Sequence, residues 1–360
     1  MQRICGSLAA AGYRVRLVGW QRPASPPLTP QPYQQHRLRG WFQQGKLFYL
    51  EYNVRLFCYL LGQRAAAWCA ADLDTALPVW LRARLGGQPF VYDAHELFTE
   101  VPEVVARPAV QRVWRWVEGF IVPRAQLAYT VGPTLARVFA QRYGRAFAVV
   151  RNVSRLRTDD VLPPAPSAAP PGGYILYQGA LNVGRGLENL LDAMPQVAGR
   201  LVVCGEGDLS EALRQQAQKL GLLASGQVEF RGFVLPEALR EVTRHAAVGI
   251  MLLENIGLSY YYSLANKFFD YVHAGIPQVL IDFPEYRALN DAFDVAELVT
   301  DLAPATLAAA LNRLLRDEPA RYQHLAANCR RAAPQLSWQH EEQELLRLWQ
   351  EVVPGRAATL

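Results

Sequence analysis

Two charged side chains in the C-terminal half have the types and spacing to bind a ligand with phosphate and hydroxyl groups. Lys267 lies in the first turn of a helix predicted to begin near Ala265–Asn266, after an apolar strand and a polar loop. A lysine is unfavourable there, because the free backbone N–H groups and the helix dipole favour an anion. A bound phosphate would supply the negative charge, and Asp270 would accept hydrogen bonds from hydroxyl groups in the same crevice. The alternative is an ordinary strand–helix–strand unit with a surface lysine.

A glycine-rich turn earlier in the same half adds a second positive group. The strand-like run Tyr174–Gly179 is followed by ALNVGRG and then by an apolar helix pattern. Three glycines, Gly179 at the end of the strand and Gly184 and Gly186 in the turn, allow sharp turns and a close approach of backbone to ligand. Arg185, at the mouth of the helix, carries a planar guanidinium that suits phosphate oxygens.

A third turn follows the strand-like run Leu201–Cys204 and reads Gly205, Glu206, Gly207. It lacks the third glycine and the acidic partner of a dinucleotide-binding fingerprint, which disfavours an oxidoreductase. Three turns that each follow a strand would line the carboxyl edge of one parallel sheet. Open α/β sheets bind nucleotides at that edge.

The N-terminal half carries its own cluster of polar side chains. Asp93, His95 and Glu96 directly follow the strand-like run Phe90–Tyr92. Polar groups grouped at the carboxyl end of a strand indicate a site, because a structural loop rarely needs them. The alternative is a capping aspartate beside a surface histidine.

Strand and helix patterns alternate along the chain, which predicts two parallel sheets with right-handed crossovers. The strands predicted in the N-terminal half are Val15–Gly19, Ala65–Cys69, Phe90–Tyr92, Leu127–Val131 and Ala148–Val150. Those predicted in the C-terminal half are Tyr174–Gly179, Leu201–Cys204, Val228–Gly232, Ala247–Leu252, Gln278–Ile281 and Glu297–Val299. Residues 161–173 between them are rich in Pro, Ala and Gly, which indicates an exposed connector between two domains.

Length and composition favour two globular domains. The chain has 360 residues, 51% of them hydrophobic, and no uncharged apolar run reaches the ~18 residues of a bilayer span. Its five cysteines are scattered and lack the spacing of metal ligands. This pattern is typical of a reducing compartment and predicts a cytoplasmic protein without a bound metal.

The chain has a net charge of +5, part of which is concentrated beside aromatic residues. The run Gln111–Arg124 combines Arg112 and Arg115 with Trp114 and Trp116. This mixture suits an anionic membrane surface, such as the inner face of the membrane, or a lipid-diphosphate acceptor. No nucleic-acid recognition motif accompanies these charges. The alternative is a helix with its aromatic stripe in the core and its arginines solvated.

Several longer runs carry a resemblance. In the C-terminal half they read YQGALNVGRGLENLLDAM, VVCGEGDL, VEFRGFV and LANKFFDYVHAGIPQV. In the N-terminal half they read VYDAHEL and VVRNVS, and the chain closes with LSWQHEEQELLRLWQEV. In this order they resemble the retaining family-4 glycosyltransferases, also called glycosyl transferases group 1. The resemblance covers nearly the whole chain.

The resemblance implies an α/β fold of the GT-B type, with two Rossmann-like parallel-sheet domains facing a central cleft. Residues 1–160 would form the acceptor-side domain, residues 161–173 the linker and residues 174–338 the nucleotide-sugar-binding domain. A final helix over residues 341–353 would pack back on the first domain.

The implied activity is transfer of a sugar from a UDP- or GDP-sugar to an acceptor hydroxyl, with retention of anomeric configuration. The acceptor would be a glycan or a lipid-linked sugar in cell-surface polysaccharide or glycolipid synthesis. No cofactor or metal is implied, since the nucleotide sugar is a substrate. Alternatives are a non-catalytic nucleotide-sugar-binding relative, and a GT-B epimerase or phosphorylase.

The resemblance also assigns roles to single residues. His95 matches the family's cleft histidine, which helps to position donor and acceptor, and Glu96 would hydrogen-bond its ring or the acceptor. Arg185 stands where the family has a lysine before glycine, whereas Ala180 replaces an expected phosphate-binding arginine. Lys267 would restore that charge.

The family's pair of glutamates eight positions apart is only half kept. Asp270 takes the second position and would accept from the ribose hydroxyls, whereas Tyr262 takes the first, near the donor sugar. The run Tyr260–Tyr262 is either a wall that stacks on sugar or a packed loop. The full predicted donor-binding set is Gly179, Gly184, Arg185, Gly186, Gly205, Glu206, Gly207, Tyr262, Asn266, Lys267 and Asp270.

The N-terminus begins with an amphipathic helix pattern, Met1–Gly12, followed by a strand at Tyr13–Gly19. By resemblance this strand would be the second of the first domain, and the expected first strand has no counterpart. We therefore expect the natural reading frame to continue upstream of Met1.

Overall fold

A computed structural model describes residues 1–23, 25–157, 169–170 and 172–354. They divide into two compact units, one formed by Met1–Asn152 with the chain from Glu341 onward, the other by Val153–His340. The predicted connector, residues 161–173, lies largely outside the described residues.

The first unit contains parallel strands in two sheets. Strands β1 (Arg16–Trp20) and β2 (Gln34–Leu38) form one, and β3 (Trp68–Ala71), β4 (Phe90–Ala94), β5 (Leu127–Thr130) and β6 (Ala148–Val149) form the other in that order. Its helices are α1 (Gln2–Ala10), α2 (Gly45–Leu61), α3 (Ala76–Gly86), α4 (Pro102–Val105), α5 (Pro108–Ile121) and α6 (Pro133–Tyr143).

The two largest differences from the sequence prediction in this unit concern β2 and β3. Strand β2 was not predicted, because its sequence QQHRL is mostly polar and its side chains are largely accessible to solvent. Strand β3 begins three residues later than predicted, since the alanine-rich run before it has no strand periodicity to set its register.

Strand β4 shows why the acceptor-side cluster lies where it does. It pairs in parallel with β3 and with β5, and all of its side chains are buried. Parallel sheets are normally covered on both faces, so β-branched and aromatic residues such as Phe90 and Val91 fit this position. Asp93 is the exception, a buried carboxyl at the carboxyl end of the strand.

The second unit is built on a six-stranded parallel sheet with the order β12-β11-β10-β7-β8-β9. Its strands are β7 (Tyr174–Gln178), β8 (Leu201–Cys204), β9 (Val228–Gly232), β10 (Ala246–Met251), β11 (Gln278–Ile281) and β12 (Ala296–Val299). The chain order reverses at β7, which lies between β8 and β10. This reversal is the topological switch point, where sheets of this kind open a crevice.

Helices cover both faces of this sheet. They are α7 (Leu187–Ala193), α8 (Ser210–Lys219), α9 (Pro236–Arg244), α10 (Leu258–Tyr261), α11 (Asn266–Ala274), α12 (Pro284–Phe293), α13 (Pro304–Asn312) and α14 (Pro319–Ala332). The core joins strand residues such as Ile175 and Ile250 to Phe268 of α11. Each of these side chains is fully buried.

The last helix, α15 (Trp338–Val352), begins in the second unit and continues in the first. Within the first unit, Glu341 accepts hydrogen bonds from the backbone N–H and the guanidinium of Arg151, both at 2.8 Å. No helix in the described part of the chain combines the length and apolar character that a bilayer crossing requires.

The first unit ends at Asn152, earlier than the predicted residue 160. The residues that follow bond to the second unit: the Ser154 carbonyl accepts from the backbone N–H of Trp338 at 3.0 Å. Leu156 and Gln339 also exchange hydrogen bonds. These contacts explain the earlier boundary.

Candidate functional site

Glycines allow the loops after β7 and β8 to pack directly on each other. Gly179 and Gly205 have φ values of +137° and +148°, a region that side chains disfavour. A Cβ on Gly205 would lie 1.8 Å from the Gly179 carbonyl oxygen, and a Cβ on Gly207 would lie 2.6 Å from the Leu181 carbonyl oxygen. The structure therefore gives Gly205 and Gly207 a packing role. Glu206 points outward and its carboxylate pairs with Arg214 of α8 at 2.5 Å.

The next two glycines allow the loop after β7 to pack closely against the loop after β10. Gly184 and Gly186 have φ values of +83° and +64°. A Cβ on Gly186 would lie 2.4 Å from the Leu252 carbonyl oxygen, and one on Gly184 would lie 2.5 Å from the Ile256 Cδ1 atom. The Gly184 carbonyl also accepts from the backbone N–H of Glu254 at 3.0 Å. These contacts hold Arg185 over the loop that leads to α11.

Lys267 lies in the first turn of α11, as predicted. The helix begins at Asn266 and ends at Ala274, where Gly275 adopts a left-handed φ of +70°. The Lys267 ammonium lies 4.0 Å from the centroid of the ring of Tyr177, the penultimate residue of β7. Burial, followed by the positive charge of Arg185, lowers the pKa of Lys267 to about 7.

Arg185 and Lys267 form a pair of neighbouring cations without a counterion. Arg185 lies 5.1 Å above the ring of Tyr260, and its Nε is buried without a hydrogen-bond acceptor. Within the described ranges, neither cation has a carboxylate in ion-pair distance. Two adjacent positive charges destabilise each other, so this place favours an anion.

Asp270 lies on α11 but does not join this pair. Its carboxylate accepts from the Ser154 hydroxyl at 2.9 Å and from the Gln178 amide at 3.1 Å. Tyr177 and Gln178 are consecutive strand residues, so their side chains point to opposite faces of the sheet. The sequence placed Lys267 and Asp270 in one crevice, whereas their contacts lie on opposite faces of β7.

The face that carries Asp270 has a pocket of about 280 Å³ between α9 and α11. Its lining includes Asp270 and Gln178 together with four basic side chains, which are Arg155, Arg240, Arg244 and His273. Gln178 is itself fixed by the Thr243 hydroxyl, which donates to its amide oxygen at 2.8 Å.

The three consecutive tyrosines divide between two environments. Tyr260 and Tyr261 pack on the core of the second unit, and Tyr261 also contacts Phe283 with 5.1 Å between ring centroids. This arrangement fits the packed-loop alternative for these two residues. Tyr262 follows α10 with its ring against Tyr261, and Asn266 is exposed at the start of α11.

On the first unit, the structure brings Asp93 and His95 together. The Asp93 carboxylate is 2% exposed and lies 3.3 Å from the Nε2 of His95. Burial opposes a charge on His95, but the adjacent carboxylate of Asp93 and the charge of Asp72 outweigh it, so the pKa of His95 is raised. Glu96 remains accessible to water, and partial burial with the charges of Asp72 and Glu103 raises its pKa to about 7.

Asp72 joins this candidate cluster, although the sequence prediction did not include it. Its carboxylate accepts from the backbone N–H of His95, and its own N–H donates to the Asp93 carbonyl, both at 2.8 Å. It holds a φ of +60°, which is strained for a residue with a side chain. The available signal was its position after β3, because neighbouring parallel strands end at the same edge.

Carboxyl groups near Asp72 depart from their ordinary pKa values. Burial raises the pKa of Asp72, and burial with the charge of Asp72 raises that of Asp74 to about 6. Among the described residues, no group of three or more His, Cys, Asp or Glu side chains is placed to hold a metal ion.

Two family profiles match the chain and together span most of it. Residues 1–153 match the glycosyl transferase 4-like domain, and residues 172–317 match glycosyl transferases group 1. Comparison with curated proteins gives no significant match.

Solved structures with similar folds cover nearly all of the chain. The sucrose-phosphate synthase of Thermosynechococcus elongatus is 18% identical, with a TM-score of 0.78 over 97% of this chain and 92% of its own. Anabaena HepE in complex with UDP and glucose is 15% identical, with a TM-score of 0.72 over 97% and 95%. An E. coli trehalose-6-phosphate protein bound with UDP-2-fluoro glucose is 15% identical, with a TM-score of 0.72 over 98% and 96%.

At these identities the neighbours show the fold, which is the GT-B arrangement of two Rossmann-like parallel-sheet domains. The family rests on the two profiles, which describe glycosyltransferase domains in the order found here. The chain therefore belongs to the group 1 glycosyltransferases, a family of enzymes with the GT-B fold.

Proposed function

We propose that this glycosyltransferase binds a UDP- or GDP-sugar at the switch point of the second unit and transfers the sugar with retention of configuration. The observation that carries the proposal is the uncompensated pair Arg185 and Lys267 at the carboxyl edge of β7 and β10. A diphosphate matches two neighbouring cations beside a helix start. Structures of Anabaena HepE hold UDP or UDP-glucose, which supports UDP as the first candidate.

The cation pair would act on the leaving group. When the bond between the anomeric carbon and the phosphate oxygen breaks, its electron pair stays on the diphosphate. The acceptor oxygen forms the new bond to the anomeric carbon, and its proton passes to the departing diphosphate oxygen. Preorganised positive groups stabilise the charge that develops on the phosphate. We expect Arg185 and Lys267 to supply this stabilisation without a metal ion.

His95 is the proposed catalytic residue of the first unit. Asp93 and the backbone contact with Asp72 fix its ring and loop, and its raised pKa favours the protonated, hydrogen-bond-donating form. Glu96, with a pKa raised to about 7, is the proposed partner of an acceptor hydroxyl. Both residues would orient the reactants, a contribution that lowers the barrier chiefly through positioning.

We extend the proposal to the acceptor, a glycan or a lipid-linked sugar, and to a cytoplasmic site of action in cell-surface polysaccharide or glycolipid synthesis. The cysteines support a reducing compartment, since none of those described is paired. The non-catalytic alternative rests on Ala180 and Tyr262, which replace charged residues of the family pattern.

The test is a thermal-shift screen of UDP, GDP, ADP and their sugars, followed by a donor-hydrolysis assay. A ligand present at about 100 times its Kd adds ~2.7 kcal/mol to the free energy of unfolding. Stabilisation by one nucleotide and its sugar, with slow release of free sugar, is the expected result. Stabilisation without any hydrolysis or transfer would favour the non-catalytic alternative. No stabilisation by any of the nucleotides would overturn the proposal.

A further inference from the structure

Helix α2 is apolar on two opposite faces. One face packs into the first unit through Phe48, Tyr52, Leu56 and Leu60, spaced by four residues. The other face is open to solvent and carries apolar side chains spaced by three or four residues, which are Leu47, Leu50, Val54, Cys58 and Leu61. At 3.6 residues per turn, this spacing forms one continuous stripe along the helix. We call it the α2 stripe.

The loop before α2 adds an aromatic side chain that is exposed and yet held in place. Trp41 is 82% exposed. Its backbone N–H donates to both carboxylate oxygens of Glu51, at 3.0 and 2.9 Å, and that of Phe42 donates to the same carboxylate at 2.9 Å. The guanidinium of Arg55 lies 4.6 Å from the Trp41 ring centroid. Contact with water does not stabilise an exposed tryptophan side chain, so its fixed position indicates a binding role.

The charges around the stripe are mostly positive. Residues 39–64 contain four basic side chains, Arg39, Lys46, Arg55 and Arg64, and a single acidic one, Glu51. Glu51 is neutralised by Arg55 at 2.8 Å. A second copy of the chain would bring the same positive charges against each other, whereas anionic lipid headgroups would complement them.

Helix α5, which the sequence indicated as a membrane-binding element, is less suited to this role. Trp114 packs against Tyr49 and Phe98, with ring centroids 5.5 and 5.0 Å apart. Arg115 is paired with Glu100 at 3.1 Å. The aromatic stripe of α5 is therefore largely turned inward, although Trp116 stays exposed.

We propose that the α2 stripe and Trp41 lie in the headgroup region of an anionic phospholipid bilayer. A helix with one buried and one exposed apolar face, flanked by basic residues and an aromatic side chain, has the character of an interfacial anchor. The same helix contacts the turn that follows β3, two residues from Asp72, because the Asn53 amide donates to the Asp74 carbonyl at 3.0 Å. In so far as it explains how a lipid-linked acceptor reaches His95, this inference rests on the proposed function.

The test is co-sedimentation of the full chain with vesicles. We expect binding to phosphatidylcholine mixed with phosphatidylglycerol, weakened by salt, and weak binding to phosphatidylcholine alone. The triple substitution Leu47→Ser, Leu50→Ser, Val54→Ser should reduce binding about tenfold or more, because apolar area no longer enters the lipid. Leu235→Ser in the second unit is the matched control, since Leu235 and Leu50 are equally exposed at 63%.

Each other outcome decides against the inference. Equal losses for the triple variant and for Leu235→Ser would show that the stripe is not the contact. A wild-type dimer that the triple variant abolishes, with vesicle binding unchanged, would assign the stripe to a second copy. Calorimetry with UDP and GDP, run on the same samples, separates the two proposals: intact nucleotide binding without vesicle binding overturns only this one. Folding of the variants is checked by their thermal transitions.

Discussion

At the residue scale, the neighbouring cations Arg185 and Lys267 lead to a prediction about phosphate binding. Arg185→Ala and Lys267→Ala should each weaken binding of UDP or GDP while leaving the weak binding of uridine or guanosine little changed. A charged hydrogen bond contributes ~1.5–3 kcal/mol, which corresponds to about a tenfold to hundredfold change in Kd. Isothermal calorimetry measures both ligands.

The control is Lys219→Ala, which removes an exposed lysine from the last turn of α8. It lowers the net charge by the same amount, so a general electrostatic effect would appear in all three variants. Equal weakening of nucleoside and nucleotide in the Arg185 and Lys267 variants would show that neither side chain contacts phosphate.

The lowered pKa of Lys267 leads to a second prediction, which concerns proton uptake on nucleotide binding. With a pKa of about 7, the free protein holds this amine partly neutral at neutral pH. A bound diphosphate favours the charged form and raises the pKa, so binding takes up a proton in the window above pH 7. The Kd for UDP should therefore increase as the pH rises from 7 to 9.

Proton uptake is measured by calorimetry in buffers of different ionisation enthalpy. Lys267→Arg serves as the reference, because arginine stays charged throughout this range. This variant should lose the pH dependence. The same slope in Lys267→Arg and in wild type would assign the titration to another group.

At the scale of elements, hydrogen bonds of Asp72 join the carboxyl ends of β3 and β4. Asp72 adopts a strained φ of +60°, and in this conformation it hydrogen-bonds to the backbone of His95 and Asp93. Asp72→Gly relaxes the strain, whose release is worth ~1–3 kcal/mol, but removes the contact with His95. Thermal stability should be retained or increased, whereas turnover should fall about tenfold with little change in donor affinity.

Asp72→Asn keeps an acceptor oxygen and removes the charge. It should retain most of the turnover and shift the alkaline limb of the pH–rate profile to lower pH, since the Asp72 charge helps to raise the pKa of His95 and the protonated form is the active one. His95→Ala provides the reference for complete loss of the histidine. Wild-type turnover in Asp72→Gly would remove Asp72 from the positioning of His95.

At the scale of the whole molecule, the chain contains two compact units, one of which holds the donor-site candidates. We expect differential scanning calorimetry to resolve two transitions, because each unit would unfold around its own core. UDP at saturating concentration should raise the temperature of only one transition, that of the second unit. An equal shift of both transitions, or a single transition throughout, would contradict independent unfolding.

Much of the fold could be predicted because local patterns are strong where elements are buried. Strands such as Leu201–Cys204, Val228–Gly232 and Gln278–Ile281 begin and end as predicted, since apolar runs between turn residues define them. Strand β2 escaped prediction because exposed edge strands need few apolar residues. The exposure of one face of α2 was not predicted either, since a helix that is apolar on all sides is normally buried.

The sequence by itself determined the family, the order of the elements and the glycines at which the chain turns. These depend on residues close together along the chain, where backbone sterics and hydrophobic period act. Only the tertiary structure decided which side chains meet. Strands β7 and β10 lie side by side although they are far apart in sequence, and this pairing brings Arg185 to Lys267. The alternation of side chains along β7 then directs the contacts of Asp270 to the opposite face, because consecutive strand residues point in opposite directions.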